Sequence, residues 1–432
     1  MQPMLRRHFF RDAVAVASGA ATLAVAAKAG AKALKIPESG QVDPRDADFW
    51  RQVRQQFPLN YSRTYLNTGG LGASPQVSID AVQEKMNALE EISEVGHSHD
   101  LWQEIKRSAG RLLGCDADEL AYTRNTTEGS NIVCNGLPLE RGDEVITTTH
   151  EHVGNTLDWI ARQKRDGIVV KTFTPSMVSA KENVDRIEAL LTPQTRVLSL
   201  SHVTCATGQI LPMKAIGQLA AAHDLWYFVD GAQSMGMMPI DVKSWGCHAY
   251  ATSGHKWLLG PKGTGLLYVS LAAQEVIEPK FVGAYSGGGE WDMISTGEFT
   301  FGDTAQRYEY GTVNVPLFVG LGASMDFLLN IGIDNVWQHN HAMGVALKEG
   351  LNELGAEVLS PQQEAEHSSI ITFKIDNMPY AELQGFLGRA HKLRTRGIYE
   401  GGLNGLRISL HLYNDFDDVD RVLAGVRAAM KA

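Results

Sequence analysis

Lys256 and Asp230 are the two residues whose types and spacing most strongly suggest chemistry in this chain. Lys256 ends the segment TSGHK, and Asp230, 26 residues earlier, ends the apolar run WYFV. A lysine amine forms a Schiff base with an aldehyde, and an aspartate keeps a pyridine nitrogen protonated. Pyridoxal 5′-phosphate (PLP) needs both groups and a phosphate site, for which Ser253 and His255 offer donors beside the lysine. The cluster therefore predicts a PLP site, although a lone lysine is usually solvated and a lone aspartate often caps a helix.

Composition limits the classes of protein to which the chain can belong. Its 432 residues suffice for two domains, or for a large domain and a small one. An apolar content of 44% and a charged content of 20% are typical of globular proteins. The net charge of −10 argues against nucleic acid as a partner, because phosphate backbones select basic surfaces. The four cysteines show no metal-ligand spacing, which favours buried thiols.

The N-terminus predicts export. Arg6 and Arg7 precede Phe9 and a weakly apolar, alanine-rich run over residues 13–27, a pattern that resembles a twin-arginine signal. We therefore expect residues 1–33 to be a signal peptide, the twin-arginine translocase to be a partner, and the mature protein to be periplasmic or otherwise exported. The run is too short for a convincing span, so no stable membrane span is expected. An amphipathic extension and a transit peptide are the alternatives.

The remaining chain divides into three parts: an N-terminal arm at 34–58, a large domain at 59–315, and a linking helix with a small C-terminal domain at 316–432. In the large domain, β-branched runs at 144–148, 196–200 and 226–230 alternate with helical patterns. This alternation predicts an α/β fold with a mostly parallel sheet between helices. Ligands bind beyond the carboxyl ends of such strands, where Asp230 is expected to lie.

Several motifs, in this order, resemble the class V aminotransferase family of PLP enzymes. They are YLNTG at 65–69, NTTEG at 125–129, the segments around Asp230 and Lys256, Gly311-Thr312, and RISLHLYN at 407–414. The resemblance covers nearly the whole chain beyond residue 65. It implies PLP fold type I, with a mostly parallel seven-stranded sheet and a small C-terminal α+β domain.

The resemblance assigns the chemical roles to matched positions. Lys256 is expected to carry the cofactor and then act as the general base at Cα. Asp230 is expected to pair with the pyridine nitrogen, His152 to stack on the ring, and Gln233 to bind the phenolate oxygen.

The resemblance also implies a phosphate site and a dimer. Thr126 and Thr127 open a helix whose N–H groups bind anions, and either threonine also fits an N-cap. Ser253 and His255 complete the phosphate site within the chain. Thr312 matches a threonine that reaches the phosphate of a partner subunit, so a homodimer is expected.

The substrate is expected to be a small amino-acid-type molecule. Arg407 matches the arginine that clamps the α-carboxylate. Arg394 or Arg396 is expected to bind a second, distal carboxylate, which favours Glu-like or peptidyl acidic substrates. No metal is expected, because neighbouring side chains in the His-Glu-His sequence ending at His152 point to opposite faces of a strand.

Two departures from the family pattern reduce the number of reactions that the chain could catalyse. Cysteine desulfurases carry a nucleophilic cysteine in the loop before the clamping arginine, but the loop here reads RTRGIYEGGLN and no cysteine follows Cys247. Cys205 stands where desulfurases place an asparagine near the cofactor. These departures predict that the protein is not a cysteine desulfurase. The segments HVT at 202–204 and RTRGIY at 394–399 resemble isopenicillin N epimerase-like proteins instead.

The leading hypothesis is an exported PLP enzyme that acts at Cα by transamination or epimerisation. The alternatives are a C–S lyase that works by β-elimination, and, by analogy alone, a periplasmic tailoring enzyme of a secreted peptide such as a siderophore. A third hypothesis is an exported binding protein that has lost catalysis, against which the intact set of Lys256, Asp230, His152 and Arg407 argues.

Overall fold

The computed structural model describes residues 34–432 except 35, 38, 93–97, 289–296 and 377. The signal peptide predicted at 1–33 lies outside the described residues. The predicted arm at 34–58 includes the helix α1 (Ala47–Arg54), which Asp46 caps by accepting hydrogen bonds from the backbone N–H groups of Asp48 and Phe49.

The other helices and the strands follow in chain order. The helices are α2 (Gln76–Ile92), α3 (His99–Leu113), α4 (Thr126–Gly136), α5 (Leu157–Asp166), α6 (Ala180–Glu188), α7 (Met213–Ala222), α8 (Val242–Trp245), α9 (Leu271–Gln274), α10 (Val315–Ile331), α11 (Ile333–Leu354), α12 (Tyr380–Ala390) and α13 (Phe416–Ala429). The strands are β1 (Thr64–Tyr65), β2 (Leu120–Thr123), β3 (Glu144–Thr148), β4 (Val169–Phe173), β5 (Thr195–Ser201), β6 (Trp226–Asp230), β7 (Ala249–Ser253), β8 (Gly265–Val269), β9 (Glu357–Val358), β10 (Ile370–Lys374), β11 (Leu393–Arg394), β12 (Arg396–Ile398) and β13 (Gly405–Ser409).

The large sheet has seven strands in the order β2-β8-β7-β6-β5-β3-β4. Neighbouring strands from β7 to β4 run parallel, whereas β8 runs antiparallel to both β2 and β7. All five residues of β7 and all five of β8 are buried, as expected of strands that are covered on both faces. The predicted α/β fold with a mostly parallel seven-stranded sheet is confirmed.

The C-terminal unit is built on a four-stranded antiparallel sheet in the order β12-β13-β10-β9, beside the parallel pair of β1 and β11. Its core includes Leu347, Phe373, Leu406 and Val422, which form a cluster separate from that of the large sheet. This small core includes Leu406 and Ile408 of β13, the strand that carries Arg407.

The linking helix α10 is apolar and largely buried. Its residues Phe318, Leu321 and Met325 belong to the core cluster of the large domain. Gly332, with a φ of 89°, separates it from α11.

Within the described ranges no single helix has the length and apolarity to cross a membrane. The helices α10 and α11 reach that threshold only as a pair, which is bent by 80°.

Candidate active site

The carboxyl ends of the parallel strands meet at one cavity of about 300 Å³. Asp230 ends β6 and Ser253 ends the neighbouring strand β7, so parallel pairing brings them to the same edge of the sheet. The cavity is lined by ten of the twelve residues that the sequence predicts for the site: Thr126, Thr127, His152, Asp230, Gln233, Ser253, His255, Lys256, Arg396 and Arg407. The other two, Arg394 and Thr312, do not line it.

Asp230 and Lys256 influence each other's charge within this cavity. Burial raises the pKa of Asp230, while the N–H of Ala232, at 2.8 Å from Oδ1, and the charge of Lys256 oppose this rise. Burial lowers the pKa of the Lys256 amine, and the charge of Asp230 opposes that shift. A lysine with a lowered pKa becomes neutral more easily, which suits both a nucleophile and a base.

The N-terminus of α4 faces the same cavity. Asn125 is the N-cap of this helix, because its side chain accepts a hydrogen bond from Glu128 N at 3.0 Å. The interpretation of Thr126 or Thr127 as the N-cap is therefore wrong. Instead, Thr126 N donates to Ser253 Oγ at 3.0 Å, and the two hydroxyl oxygens are 2.7 Å apart. The start of α4 and the end of β7 thus form one polar surface at the positive end of a helix dipole.

Two imidazoles line the cavity in their neutral form. Burial, followed by the charge of Lys256, lowers the pKa of both His152 and His255 to about 4. Nδ1 of His152 accepts a hydrogen bond from Gly154 N at 3.0 Å, which assigns the ring proton to Nε2. Nδ1 of His255 is buried and has no hydrogen-bond partner among the described residues.

The amide of Gln233 is oriented by its neighbours. The indole Nε1 of Trp257 can only donate, and it lies 2.8 Å from Oε1 of Gln233. Nε2 of Gln233 therefore donates to Gly69 O at 2.9 Å and retains a second N–H for another acceptor. Gly69 itself leaves room beside the cavity, since a Cβ there would lie 2.9 Å from Gln233 Oε1 and 3.0 Å from Arg407 Nη2.

Arg407 is a buried guanidinium with only neutral acceptors. Its Nη1 donates to Cys205 O at 2.9 Å and its Nη2 to Asn67 Oδ1 at 3.0 Å. It takes part in none of the ion pairs of the described residues, and its Nε lacks a hydrogen-bond partner among them. Burial lowers its pKa to about 10, and the nearby Arg396 adds to this shift. Such a group favours an anionic ligand, because a buried charge is costly without a partner.

The structure separates the two other arginines. Arg394 is exposed on β11 and donates to the carbonyl of Thr395, outside the cavity. Arg396 lines the cavity and pairs through Nη2 with Oε1 of Glu400, a residue for which the sequence suggested no role. Thr312 is exposed and lies outside the cavity of its own subunit, so its predicted role toward a partner subunit stays a prediction.

Glu151, for which the sequence predicts no role in the site, is a buried carboxylate next to the cavity residue His152. Its Oε1 accepts from Thr148 Oγ1 and Ser201 N, both at 3.0 Å, and its Oε2 from Asn155 Nδ2 at 3.2 Å and from the Ser201 hydroxyl. These donors join the ends of β3 and β5 to the residues after His152. No group of three His, Cys, Asp or Glu in the described part of the chain is arranged to hold a metal.

Cys205 is buried beside Arg407, and burial raises the pKa of its thiol to about 11. Its Sγ lies 3.9 Å from His150 O. Cys115, Cys134 and Cys247 are also free thiols, and all of the four except Cys115 are buried.

Comparison with known proteins shows the family to which the chain belongs. A family model described as "Aminotransferase class-V" matches residues 65–422. A protein of Methanothermobacter thermautotrophicus named "Probable cysteine desulfurase" is 30% identical over 389 residues, which cover 85% of this chain and 94% of the relative.

Solved structures of the protein C-DES share the fold. One shows a C-DES variant with glycine covalently linked to its PLP cofactor; it is 27% identical, has a TM-score of 0.77, and covers 87% of this chain and 98% of its own. Another, with a TM-score of 0.76 and the same identity, shows the "cystine C-S lyase C-DES" with cysteine persulfide and covers 86% and 99% of the two chains. These comparisons confirm the predicted family, but they give no support to the epimerase-like subgroup. The curated relative is named a cysteine desulfurase, although the loop of this chain lacks the cysteine that a desulfurase needs.

Proposed function

The chain belongs to the class V aminotransferase family of PLP-dependent enzymes, and on that premise we propose that it acts at Cα of an α-amino acid or a compound derived from one. The observation that carries this proposal is a single cavity lined by Lys256, Asp230 and Arg407. It combines an amine of lowered pKa, a buried carboxylate, and a buried guanidinium that has no carboxylate partner among the described residues.

The residues around the cavity fit PLP. The polar surface of Thr126 and Ser253, at the positive end of α4, suits a phosphate, and Nδ1 of His255 is a buried atom that still requires a hydrogen-bond partner. Asp230 suits a pyridine nitrogen, because a protonated ring would compensate its buried charge. We propose that Thr127 also binds the phosphate, that His152 stacks on the ring, and that Gln233 binds its phenolate oxygen.

Bound PLP supplies an aldehyde that condenses with amines and a ring that withdraws electrons from Cα. Lys256 would hold the cofactor, and its Nζ, once free, would act as the base that removes the Cα proton. Arg407 binds the α-carboxylate in bidentate fashion, which fixes the Cα–H bond toward Lys256. Asp230 keeps the ring nitrogen protonated, so that negative charge at Cα is stabilised.

The step after proton removal distinguishes two candidate reactions. Return of the proton to Cα, or its transfer to the cofactor, gives epimerisation or transamination. Loss of a sulfur leaving group from Cβ gives C–S bond cleavage, and the names of the relatives favour this second candidate. Transfer of sulfur to a cysteine of this loop is not proposed, because the segment RTRGIYEGGLN contains none.

The test uses protein reconstituted with PLP. We expect visible cofactor absorbance that changes when an α-amino acid is added. In Lys256→Ala we expect loss of the absorbance that the protein with PLP shows before substrate is added, together with loss of turnover. A wild type that stays colourless with PLP would refute the proposal. Pyruvate, ammonia and a sulfur product from L-cystine would identify C–S cleavage, whereas an amino group left on the cofactor, or loss of Cα chirality, would identify transamination or epimerisation.

We further propose a homodimer in which Thr312 reaches the phosphate site of the partner subunit. Its exposure on its own subunit is compatible with this role. Mixed dimers of Lys256→Ala and Thr312→Val subunits would test the idea. If Thr312 acts across the interface, one site of each mixed dimer carries both substitutions and the other site carries neither. Cofactor binding at the unsubstituted site should then equal that of the wild type.

We also propose export by the twin-arginine translocase and a periplasmic location. The support is the sequence pattern of Arg6, Arg7 and the apolar run after them. Replacement of both arginines by lysine should retain the protein in the cytoplasm; its appearance in the periplasmic fraction would refute the proposal. A role in tailoring a secreted peptide, such as a siderophore, would be consistent with that location.

A further inference from the structure

Two guanidinium groups line the cavity, and their charges are balanced differently. Arg407 has only neutral acceptors, Cys205 O and Asn67 Oδ1. Arg396 has a counter-ion, because its Nη2 pairs with Oε1 of Glu400. An anionic group of the substrate is therefore expected at Arg407, whereas the charge of Arg396 is already neutralised within the chain.

The pair of Arg396 and Glu400 still offers a hydrogen bond to a ligand. Nη1 of Arg396 is buried and has no partner in the described part of the chain. The side chain of Glu400 is only 6% exposed, and its Oε2 accepts from Tyr399 N at 3.1 Å, which holds the carboxylate in place. The exposed fraction of the Arg396 side chain is larger, at 24%, as expected of the partner that faces the cavity.

We propose that Arg396 and Glu400 form a distal subsite that prefers an α-amino acid with a carboxamide in its side chain to one with a side-chain carboxylate. The carboxamide belongs either to a side-chain amide or to a peptide bond. The proposal rests on the proposed function, because it takes the α-carboxylate to lie on Arg407. It also differs from the expectation that Arg396 recognises a second carboxylate.

The physical reason is charge balance in a poorly solvated site. An amide oxygen can accept a hydrogen bond from the free N–H of Arg396, and it adds no charge to the site. A distal carboxylate would accept the same hydrogen bond but would place a second negative charge beside the buried Glu400. Like charges that are close together repel strongly where water is excluded. The carboxylate of Glu400 thus disfavours acidic substrates, an element of specificity that works by repulsion.

Glu400 also lies close enough to affect the rest of the cavity. Its charge is among the influences that raise the pKa of His152 and of Arg407, against the larger effect of burial. The loop that carries it, with Gly401 and Gly402 at φ of 60° and 71°, packs against the large domain: a Cβ on Gly401 would lie 3.2 Å from a ring carbon of His150. Glu400 is therefore held beside the site by backbone geometry as well as by Arg396.

The experiment uses isosteric ligand pairs and the holoenzyme. L-glutamine is compared with L-glutamate, and L-asparagine with L-aspartate, by the concentration that half-saturates the change in cofactor absorbance. We expect at least one amide to bind about tenfold more tightly than its acid, since a hydrogen bond to a charged group is typically worth such a factor. L-alanine, which has no distal group, serves as the reference ligand.

Substitutions identify the residues responsible. Glu400→Gln keeps the size of the side chain but removes its charge, so the preference for the amide should fall by about tenfold or reverse. Arg396→Gln should weaken amide binding by a larger factor than it weakens binding of L-alanine. Arg394→Gln is the matched control, since Arg394 lies outside the cavity, and it should leave both ligand pairs unchanged.

The outcomes separate this inference from the proposed function. No response to L-alanine or any other amino acid would refute the proposed function itself. A normal response to L-alanine, with glutamate and aspartate bound more tightly than their amides, would overturn only the distal-subsite inference. That inference would also be overturned if neither amide responds, or if Glu400→Gln and Arg396→Gln leave the preference of the wild type intact.

Discussion

Arg407 donates a hydrogen bond from Nη1 to the backbone oxygen of Cys205 at 2.9 Å, across 202 residues of sequence. This bond joins β13 of the C-terminal unit to the loop that follows β5 of the large sheet. Because Asn67 holds Nη2 of the same guanidinium, Arg407 is oriented before any ligand binds. The cavity therefore depends on the docking of the C-terminal unit against the large domain.

Replacement of Arg407 should lower the activity of the enzyme without lowering the stability of the fold. We expect Arg407→Gln to lower kcat/KM by about 10- to 100-fold, through loss of a charged hydrogen bond to the α-carboxylate. The melting temperature should be unchanged or higher without PLP or substrate, because the substitution removes a buried charge that has no ionic partner in the described structure.

Arg407→Lys provides the comparison for that experiment. It keeps the positive charge but loses the planar fork, so its kcat/KM should also fall. Equal activity in wild type and both variants would contradict the clamping role, and a large fall in melting temperature for Arg407→Gln would show that the guanidinium is mainly structural.

Asp230→Asn should impair catalysis more than cofactor binding. The amide keeps the shape and can still accept from Ala232 N, but it cannot keep a pyridine nitrogen protonated. We expect kcat to fall by about 10²- to 10³-fold, the cost typical of losing one electrostatic contact to the reacting group. Retained cofactor content would be measured by absorbance, and a kcat within twofold of wild type would contradict the assignment.

Glu151→Gln tests the buried carboxylate beside the site. Burial, followed by the charge of Asp230, raises the pKa of Glu151 to about 7, although four donors surround it. Since this pKa lies above that of the unfolded chain, the folded state holds the extra proton and loses stability as pH rises through 7. Gln cannot ionise, so this pH-dependent change should disappear, as measured by chemical denaturation between pH 5 and 8.

The same variant should also be less stable in absolute terms. Gln places an N–H group among donors such as Ser201 N and Asn155 Nδ2, and one mismatched buried group costs about 1–3 kcal/mol of unfolding free energy. Thr192→Val is a suitable control, because it removes a hydroxyl that donates a hydrogen bond to Glu144, a part-exposed carboxylate that does not line the cavity. If Glu151→Gln retains the stability and the pH dependence of the wild type, the prediction is wrong.

Acid should destabilise the fold through buried histidines. Burial lowers the pKa of His411 and of His202 to about 3, well below the value of an unfolded histidine. Between pH 6.5 and pH 3 the unfolded chain binds protons that the folded chain does not, so the free energy of unfolding falls as pH falls. His411→Gln should reduce this slope by up to about one proton in a denaturation series; an unchanged slope would contradict the prediction.

The catalytic half of the site could be predicted from local sequence. Lys256, Asp230 and the residues around Thr126 follow or end strands, and the carboxyl ends of parallel strands converge on one edge of a sheet whatever the details of packing. Their residue types then define the chemistry. For the same reason the α/β fold and its seven-stranded sheet could be predicted from the alternation of strands and helices together with the family motifs.

The substrate half could not be predicted in this way. Arg394 and Arg396 are equivalent by type and almost by position, and only the course of β11 and β12 leaves the first exposed and brings the second into the cavity. The pairing of Arg396 with Glu400 and the four donors around Glu151 also give no sequence signal, because they join side chains through tertiary contacts.

By itself, then, the sequence determined the cofactor chemistry, because that chemistry resides in residue types placed at strand ends. Only the tertiary structure decided which charges are balanced: Arg396 by Glu400, and Arg407 by no carboxylate of the described chain. That difference depends on how the loop after β12 packs beside the large domain. Electrostatic interactions in a buried site are set by distance and desolvation, and neither can be read from the order of residues along the chain.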